Sequence, residues 1–383
     1  MHGSIPSRWT AVFTAALLYL GLAGAASAEE ATPQPPPPLP AKQAHIALIL
    51  PTKSKSFAGP AEAVQLGALA GEEKLGDELT PKLRLYPTTE RDEDALAAYQ
   101  QALTNGAIGV IGPLTRGAIA KLAEFGGLEI PVLALNSLEG INNVSNLYGL
   151  GLSIEAEARQ LARLMQADGS TKPLLIATEG ALSKRTRDAF SNEWHRISGS
   201  LPMEVKFTEG KDGLNRLKEN MRALGADAVF MAADQKKARL IRPYLGIDQP
   251  VYATSHAWSG KFGRMSVANN DLLGVRFVDM PWLLDPYHND MQQFKHASKP
   301  LSPDLERLYA LGLDAYRLSL QIVTAAPGAN IELAGVTGNL RMSDSGEFSR
   351  ELIRSEIGGQ PRTPKPEPEP TVDPEAAPNT VTY

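Results

Sequence analysis

The residues best suited to holding a ligand stand directly after short apolar runs, where a strand would give way to a loop. Thr52, Ser54 and Ser56 follow the run from His45 to Leu50, Pro113, Leu114 and Thr115 follow Ile108 to Ile111, and Asn136 and Ser137 follow Val132 to Leu135. In the second half Thr178 and Glu179 follow Leu174 to Ala177, Asp234 follows Ala228 to Ala232, and Thr254, Ser255 and His256 close the run begun at Val251. Most are hydroxyl or amide groups, which donate and accept hydrogen bonds to a small polar ligand without fixing its charge. The same residue types serve turns and helix N-caps, so each position also has a purely structural reading.

Covalent and acid–base chemistry find no comparable set. The patterns G-x-S-x-G, S-x-x-K, H-E-x-x-H, Walker A and G-x-G-x-x-G are missing, and YGLGL at Tyr148 to Leu152 lacks a third glycine. His45, His195, His256, His288 and His296 lie far apart, without metal-ligand spacing. No catalytic residue, metal or other cofactor is expected.

Loops of this kind must be held by a regular frame, and the chain alternates the two patterns that build one. Apolar runs at His45 to Leu50, Leu83 to Tyr86, Ile108 to Ile111 and Val132 to Leu135 predict strands, separated by helices over Pro60 to Lys74, Asp92 to Leu103 and Arg116 to Phe125. Ala61, Ala63, Gly67, Ala68, Ala70 and Gly71 give the first helix a small-residue surface that allows close packing. A helix over Glu155 to Gln166 then leads to strands at Leu174 to Ala177, Met203 to Phe207, Ala228 to Ala232 and Val251 to Thr254. Apolar strands separated by helices imply parallel sheets covered on both faces, with ligands bound beyond the carboxyl ends of the strands. IGVIGP before PVLALN in the first half is echoed by AVFMAA before PVYATS in the second, which predicts two similarly wound lobes.

Composition limits the function further. At 383 residues, 43% hydrophobic, the chain is long enough for two compact units. A formal charge of −5, with Lys and Arg scattered among carboxylates, excludes a nucleic-acid partner. With no cysteine there is no disulfide, no thiolate nucleophile and no thiolate-bound metal. Arg8, the small and apolar run from Trp9 to Ala26, and Ala26-Ser27-Ala28 predict an export leader over 1–28; an uncleaved anchor is the alternative. A Pro-rich linker follows over 29–43, and a Pro- and Glu-rich tail over 361–383 is expected to be disordered. Each is a spacer or a docking ligand.

Several blocks carry a family resemblance. VRFVDMPWLL from Val275, RLYALGLDAYRL from Arg307, PVLALN from Pro131, PVYATS from Pro250 and GVTGNLR from Gly335 together resemble the C-terminal module of the LpoA/LppC penicillin-binding-protein activators. The resemblance runs from about His45 to Gly359. It implies a type I periplasmic-binding-protein fold: two Rossmann-like α/β lobes with parallel sheets, joined by three crossover strands. Leu147 to Leu152, Phe277 to Trp282 and Leu333 to Leu340 are the candidate crossings. Lobe 1 is then expected over 44–148 plus 283–334, and lobe 2 over 149–282 plus 335–360. Asp279 and Trp282 would sit at the hinge and cleft floor, with ordinary core burial the other reading for Trp282.

The family's partner is a bifunctional peptidoglycan synthase, a class A penicillin-binding protein, so the resemblance implies a non-enzymatic regulator of cell-wall synthesis. The second reading is a periplasmic solute receptor that closes on an amino acid or small peptide and feeds an ABC transporter. Members known to the family carry a lipidated cysteine and a helical-repeat domain; neither has a place here, since cysteine is absent and only Glu29 to Ala44 separates the leader from the first strand. The expectation is a periplasmic protein without a lipid anchor.

Overall fold

The structure, a computed structural model, describes residues 43–246, 249–326 and 328–362. The expected leader, the linker apart from Gln43, and the tail beyond Arg362 lie outside them. Among the described residues no helix is long and apolar enough to cross a membrane.

The first half builds β1 (His45–Leu50), α1 (Ala58–Leu75), β2 (Lys82–Pro87), α2 (Asp92–Thr104), β3 (Ala107–Ile111), α3 (Arg116–Phe125), β4 (Val132–Ala134) and β5 (Leu147–Gly149). These strands form one parallel sheet in the order β2-β1-β3-β4-β5. Every residue of β1 is buried, which is why its sequence reads as an unbroken apolar run rather than an alternation. Asp92, Glu93 and Asp94 occupy the first turn of α2, where the helix end is positive.

The second half builds α4 (Ile154–Ala167), β6 (Pro173–Ala177), α5 (Ala181–Ser198), β7 (Met203–Lys206), α6 (Lys211–Leu224), β8 (Ala228–Ala232), α7 (Gln235–Ile241), β9 (Val251–Ala253) and β10 (Val275–Asp279). After α8 (Pro281–Leu284), α9 (Asn289–Gln292) and the long α10 (Pro303–Thr324) come β11 (Glu332–Gly335), β12 (Gly338–Met342), β13 (Phe348–Glu351) and β14 (Ile353–Glu356). The second sheet runs β14-β10-β9-β8-β6-β7 and is parallel except for β14, which pairs antiparallel with β10. β11, β12 and β13 form a small antiparallel sheet of their own.

The internal echo in the sequence is an echo in hydrogen bonding. Val110 N donates to Pro131 O and Val229 N to Pro250 O, both at 2.9 Å, so β3 with β4 and β8 with β9 are paired in the same register.

The crossings differ in detail from expectation. Leu147–Gly149 stays in the first sheet, and Leu150 to Ser153 makes the passage to α4. Val275–Asp279 belongs wholly to the second sheet. Leu333 to Leu340 is not one crossing strand: it turns at Val336-Thr337 into the β11–β12 hairpin, because Asp314 on α10 accepts from both turn amides and stops the extension. Leu340 and Phe348 from this small sheet pack into the core of the first sheet.

Each sheet is covered on both faces. On the first, Ile46, Leu48 and Leu133 meet α1 and α10, while Ala47, Ile49 and Val110 meet α2 and α3. On the second, Leu175, Phe230 and Tyr252 meet α4 and α5. That core extends to Tyr309, Ala310 and Leu313 of α10 and to Ala70 of α1, so a single apolar cluster joins the two halves. α1 and α10 approach closely enough that a Cβ at Gly67 would lie 1.8 Å from Tyr309 O, and one at Gly312 2.0 Å from Val64 O.

Candidate functional site

At the carboxyl edge of the first sheet the candidate side chains are largely occupied with the backbone. Ser54 is buried, and its Oγ accepts from Ser56 N and Phe57 N at 3.3 Å each, ordering the approach to α1. Asn136 donates from Nδ2 to Leu114 O at 3.1 Å and accepts at Oδ1 from Ser137 N at 3.0 Å, tying the loop after β4 to the loop after β3. Pro113 and Leu114 are buried, Thr52 is half-buried and Ser56 exposed.

The second sheet brings its own set together. Thr178, Glu179, Asp234, Thr254 and His256 line one cavity of about 160 Å³ beyond β6, β8 and β9, with Ser183 and Thr186 on its α5 side. Thr178 Oγ1 and Ser183 Oγ both donate to Ala232 O. Asp234 caps α7 by accepting from Lys237 N at 2.9 Å, and Lys237 Nζ reaches Glu179 O at 2.9 Å. Burial first, and then the nearby Arg307 charge, lower the pKa of the His256 imidazole below its ordinary value. None of the first-sheet set lines this cavity.

Ser255, Asp279 and Trp282 lie deeper than expected, inside the protein and on no wall of that cavity. The reason is electrostatic. Asp279, at the end of β10, holds Arg307 of α10 through Nη2 at 2.6 Å and Nε at 3.2 Å, and Arg307 also reaches Asp304 at 2.7 Å and Ser255 O at 3.4 Å. Glu157, on α4, accepts from Ser255 N at 2.9 Å and from its Oγ at 3.1 Å. Arg350, on β13, donates to Gly151 O at 3.0 Å and Thr337 O at 3.1 Å, and Asp314 accepts from Val336 N, Thr337 N and Thr337 Oγ1 at 3.0, 2.7 and 2.6 Å. Charged side chains therefore fix the passage at Gly151, the end of β10 and the β11–β12 turn, while the passage from β13 to β14 is held by the Gln160 amide, which donates to Leu352 O at 2.8 Å and accepts from Leu352 N at 3.1 Å. Trp282 packs against His296 and Tyr309, with its Nε1 donating to Glu306 at 2.9 Å, so core burial is its role.

Of this network the sequence marks only Ser255 and Asp279, and as cleft residues rather than as buried partners. Arg307 and Asp314 both fall inside RLYALGLDAYRL, where three charges, Arg307, Asp314 and Arg317, on an otherwise apolar stretch signal paired burial, but Glu157 looks like any acid in a helix's first turn.

Burial, reinforced by the negative Asp279 and opposed by Ser255, Arg307 and Arg350, raises the Glu157 carboxyl from 4.5 to about 7. Between those pH values the folded protein keeps a proton that the unfolded chain has released, so stability falls as pH rises through this window and is greatest below it. Glu157→Gln is expected to remove that slope: melting temperature measured from pH 5 to 8 should decline in the parent and stay flatter in the variant. Parallel curves would exclude Glu157 as the source.

Two sheets of this order, joined by three passages with polar loops at their carboxyl edges, define a periplasmic-binding-protein-like fold. Residues 40–357 match the family described as "LppC putative lipoprotein", and the chain belongs to that family. A relative from Vibrio cholerae, named penicillin-binding protein activator LpoA, is 28% identical over 351 residues, covering 83% of this chain and 57% of its own. The chain thus spans little more than half the length of that curated relative. The LpoA C-domain from Haemophilus influenzae, described as a regulator of PBP1A, superposes with a TM-score of 0.68 at 23% identity, over 82% of this chain and 98% of that one. A protein from Chromobacterium violaceum, described as "a putative branched-chain amino acid ABC transporter", superposes with a TM-score of 0.72 at 36% identity, over 82% of this chain and all of the other.

Proposed function

We propose that this chain is a periplasmic regulator that binds and stimulates a bifunctional class A penicillin-binding protein, acting by contact rather than catalysis. The observation that carries this reading is membership of the LppC family together with likeness to the Vibrio cholerae activator over 83% of the chain. The side chains at the carboxyl edges agree with a non-catalytic role: Ser54 and Asn136 are committed to internal hydrogen bonds, and Ser255, whose hydroxyl donates to Glu157, is buried together with that carboxyl away from the small cavity. Delivery to the periplasm rests on the leader expected over 1–28. The lobes are taken as 44–148 plus 283–334 and 149–282 plus 335–360, a division supported by the separate sheets of β1–β5 and β6–β10 with β14, although Leu340 and Phe348, within 335–360, pack into the core of the first sheet.

Glycan polymerisation and peptide cross-linking by a purified class A synthase, assayed with and without this chain, test the proposal. Stimulation that saturates with added chain, together with co-purification, is expected. An unchanged synthase would refute it.

The second reading, a solute receptor, is favoured by the likeness to the Chromobacterium violaceum protein and by the small cavity at Thr178, Asp234 and Thr254. It predicts that Asp234→Ala with Thr254→Ala weakens amino-acid binding by roughly 1–3 kcal/mol, because the ligand's buried polar groups lose partners. The regulator reading predicts full synthase stimulation by the same variant and no heat of binding for free amino acids in calorimetry.

A further inference from the structure

A second, larger cavity of about 500 Å³ shares no lining residue with the small one. Its walls come from the loop after β4, the passage from β5 to α4, one side of α4, and the region from the end of β12 through β13. The lining is chemically uniform: five serines, three arginines and Phe348, against two carboxylates, Glu139 and Glu347.

The arginines are not equivalent. Arg163 is paired with Glu193 at 2.7 Å, and Arg350 gives two donors to the carbonyls of Gly151 and Thr337. Arg159 is exposed and has no carboxylate partner among the described residues. An open guanidinium fork matches a ligand carboxylate in two parallel hydrogen bonds. Each serine hydroxyl already has an internal partner: Ser153, Ser343 and Ser349 donate to Glu155, Glu347 O and Arg341 O, Ser345 pairs with Ser343, and Ser137 accepts from Glu139 N, so what they offer a hydroxyl-rich ligand is chiefly acceptor lone pairs, with the Ser137 proton still free to donate. Glu139 and Glu347 disfavour a polyanion while accepting from sugar hydroxyls. The volume lies within the usual range of small-molecule sites, about 300–1,000 Å³.

We infer that this cavity binds a carboxylate-bearing saccharide of disaccharide size, with Arg159 receiving the carboxylate. The inference deepens the proposed function and rests on it for the choice of glycan: the repeating disaccharide of the cell wall freed of its stem peptide, whose lactyl ether then carries an unamidated carboxylate, is the ligand of this class found where a synthase regulator works. A ligand here touches both Ser137, from the first sheet's loops, and α4, which leads into the second sheet. It therefore favours one arrangement of the two halves.

Calorimetry on the whole chain, with no synthase present, tests the site apart from the function. The cell-wall disaccharide is expected to bind saturably with Kd below about 1 mM, and the neutral disaccharide chitobiose and free lactate each about tenfold or more weaker. Arg159→Glu should weaken the acidic disaccharide about tenfold or more. Arg159→Lys should retain part of the affinity, and Lys121→Glu on the distant α3 should change nothing. Equal binding of chitobiose, indifference to Arg159→Glu, or no binding of the acidic disaccharide would each overturn the site. Absence of binding beside intact synthase stimulation would overturn the site alone; binding without stimulation would overturn the proposed function alone.

Discussion

Gly312→Ala is expected to destabilise the protein by about 3 kcal/mol or more, the upper end of what overpacking costs. The added methyl would meet Val64 O at 2.0 Å, Val64 C at 2.8 Å and Ala68 N at 3.0 Å, all backbone atoms of α1. Side chains could rotate out of such a clash; a helix backbone can relieve it only by moving the whole of α1 from α10. That movement would open the contact among Val64, Ala68, Leu311 and Ala315 over the first sheet. Gly67→Ala should behave alike, since its methyl would meet Tyr309 O at 1.8 Å. Gly71→Ala is the internal comparison. Its nearest neighbour is the Tyr316 side chain at 3.0 Å, which can give way, so its cost should be much smaller. Urea unfolding of the three variants measures this, and a Gly312→Ala loss below about 1 kcal/mol would show that the helices are not held at this distance.

The second large effect is expected at Asp279. Asp279→Ala leaves the Arg307 guanidinium buried beside an empty acceptor position, and breaking a buried pair from one side typically costs about 3–5 kcal/mol. Arg307 retains Asp304, but that partner is exposed and screened by water. The double change Asp279→Leu with Arg307→Met should recover most of the loss, because neither charge then remains to be desolvated. A double-mutant cycle by chemical denaturation checks both statements. Additive losses would mean that the pair is not coupled, and that Arg307 is held chiefly by Asp304 and Ser255.

Much of this frame was legible from residue order alone. The strand at Ala228–Ala232 and the helix at Arg116–Phe125 have the bounds their patterns predict, because each is a buried or amphipathic segment closed by a Gly or a polar break. The close packing of α1 was visible in its small residues, though its partner was not: a pattern within one helix says nothing about which distant helix fills it. The candidate site was legible only in part. Position after a strand identified the loops, and the second-sheet loops do converge on one cavity. What position could not supply was the use of each oxygen. Ser54 and Asn136 have the right chemistry for a ligand and spend it on neighbouring amides and carbonyls. Glu157 and Arg350 were invisible for the opposite reason, since ordinary surface residue types become buried, as Glu157 is, or half-buried, as Arg350 is, only when segments far apart in the chain enclose them. The larger cavity has the same origin, drawing its walls from stretches around Ser137, Arg159 and Ser345 that show no common pattern.

The late return of the chain has a consequence for synthesis. α1 and the first sheet are complete before the second sheet begins, yet the helix that covers them, α10, follows every parallel strand of both sheets, and β14 closes the edge at β10 later still. A nascent chain therefore carries the small-residue face of α1 and the free edge of β10 uncovered until nearly all of it has emerged. Contacts between such distant segments form slowly, and exposed apolar faces and open strand edges are where partly made chains stick to one another. Chains interrupted before Pro303 would keep two well-formed sheets without their shared cover, and they, rather than the finished protein, are the natural clients of chaperones and proteases.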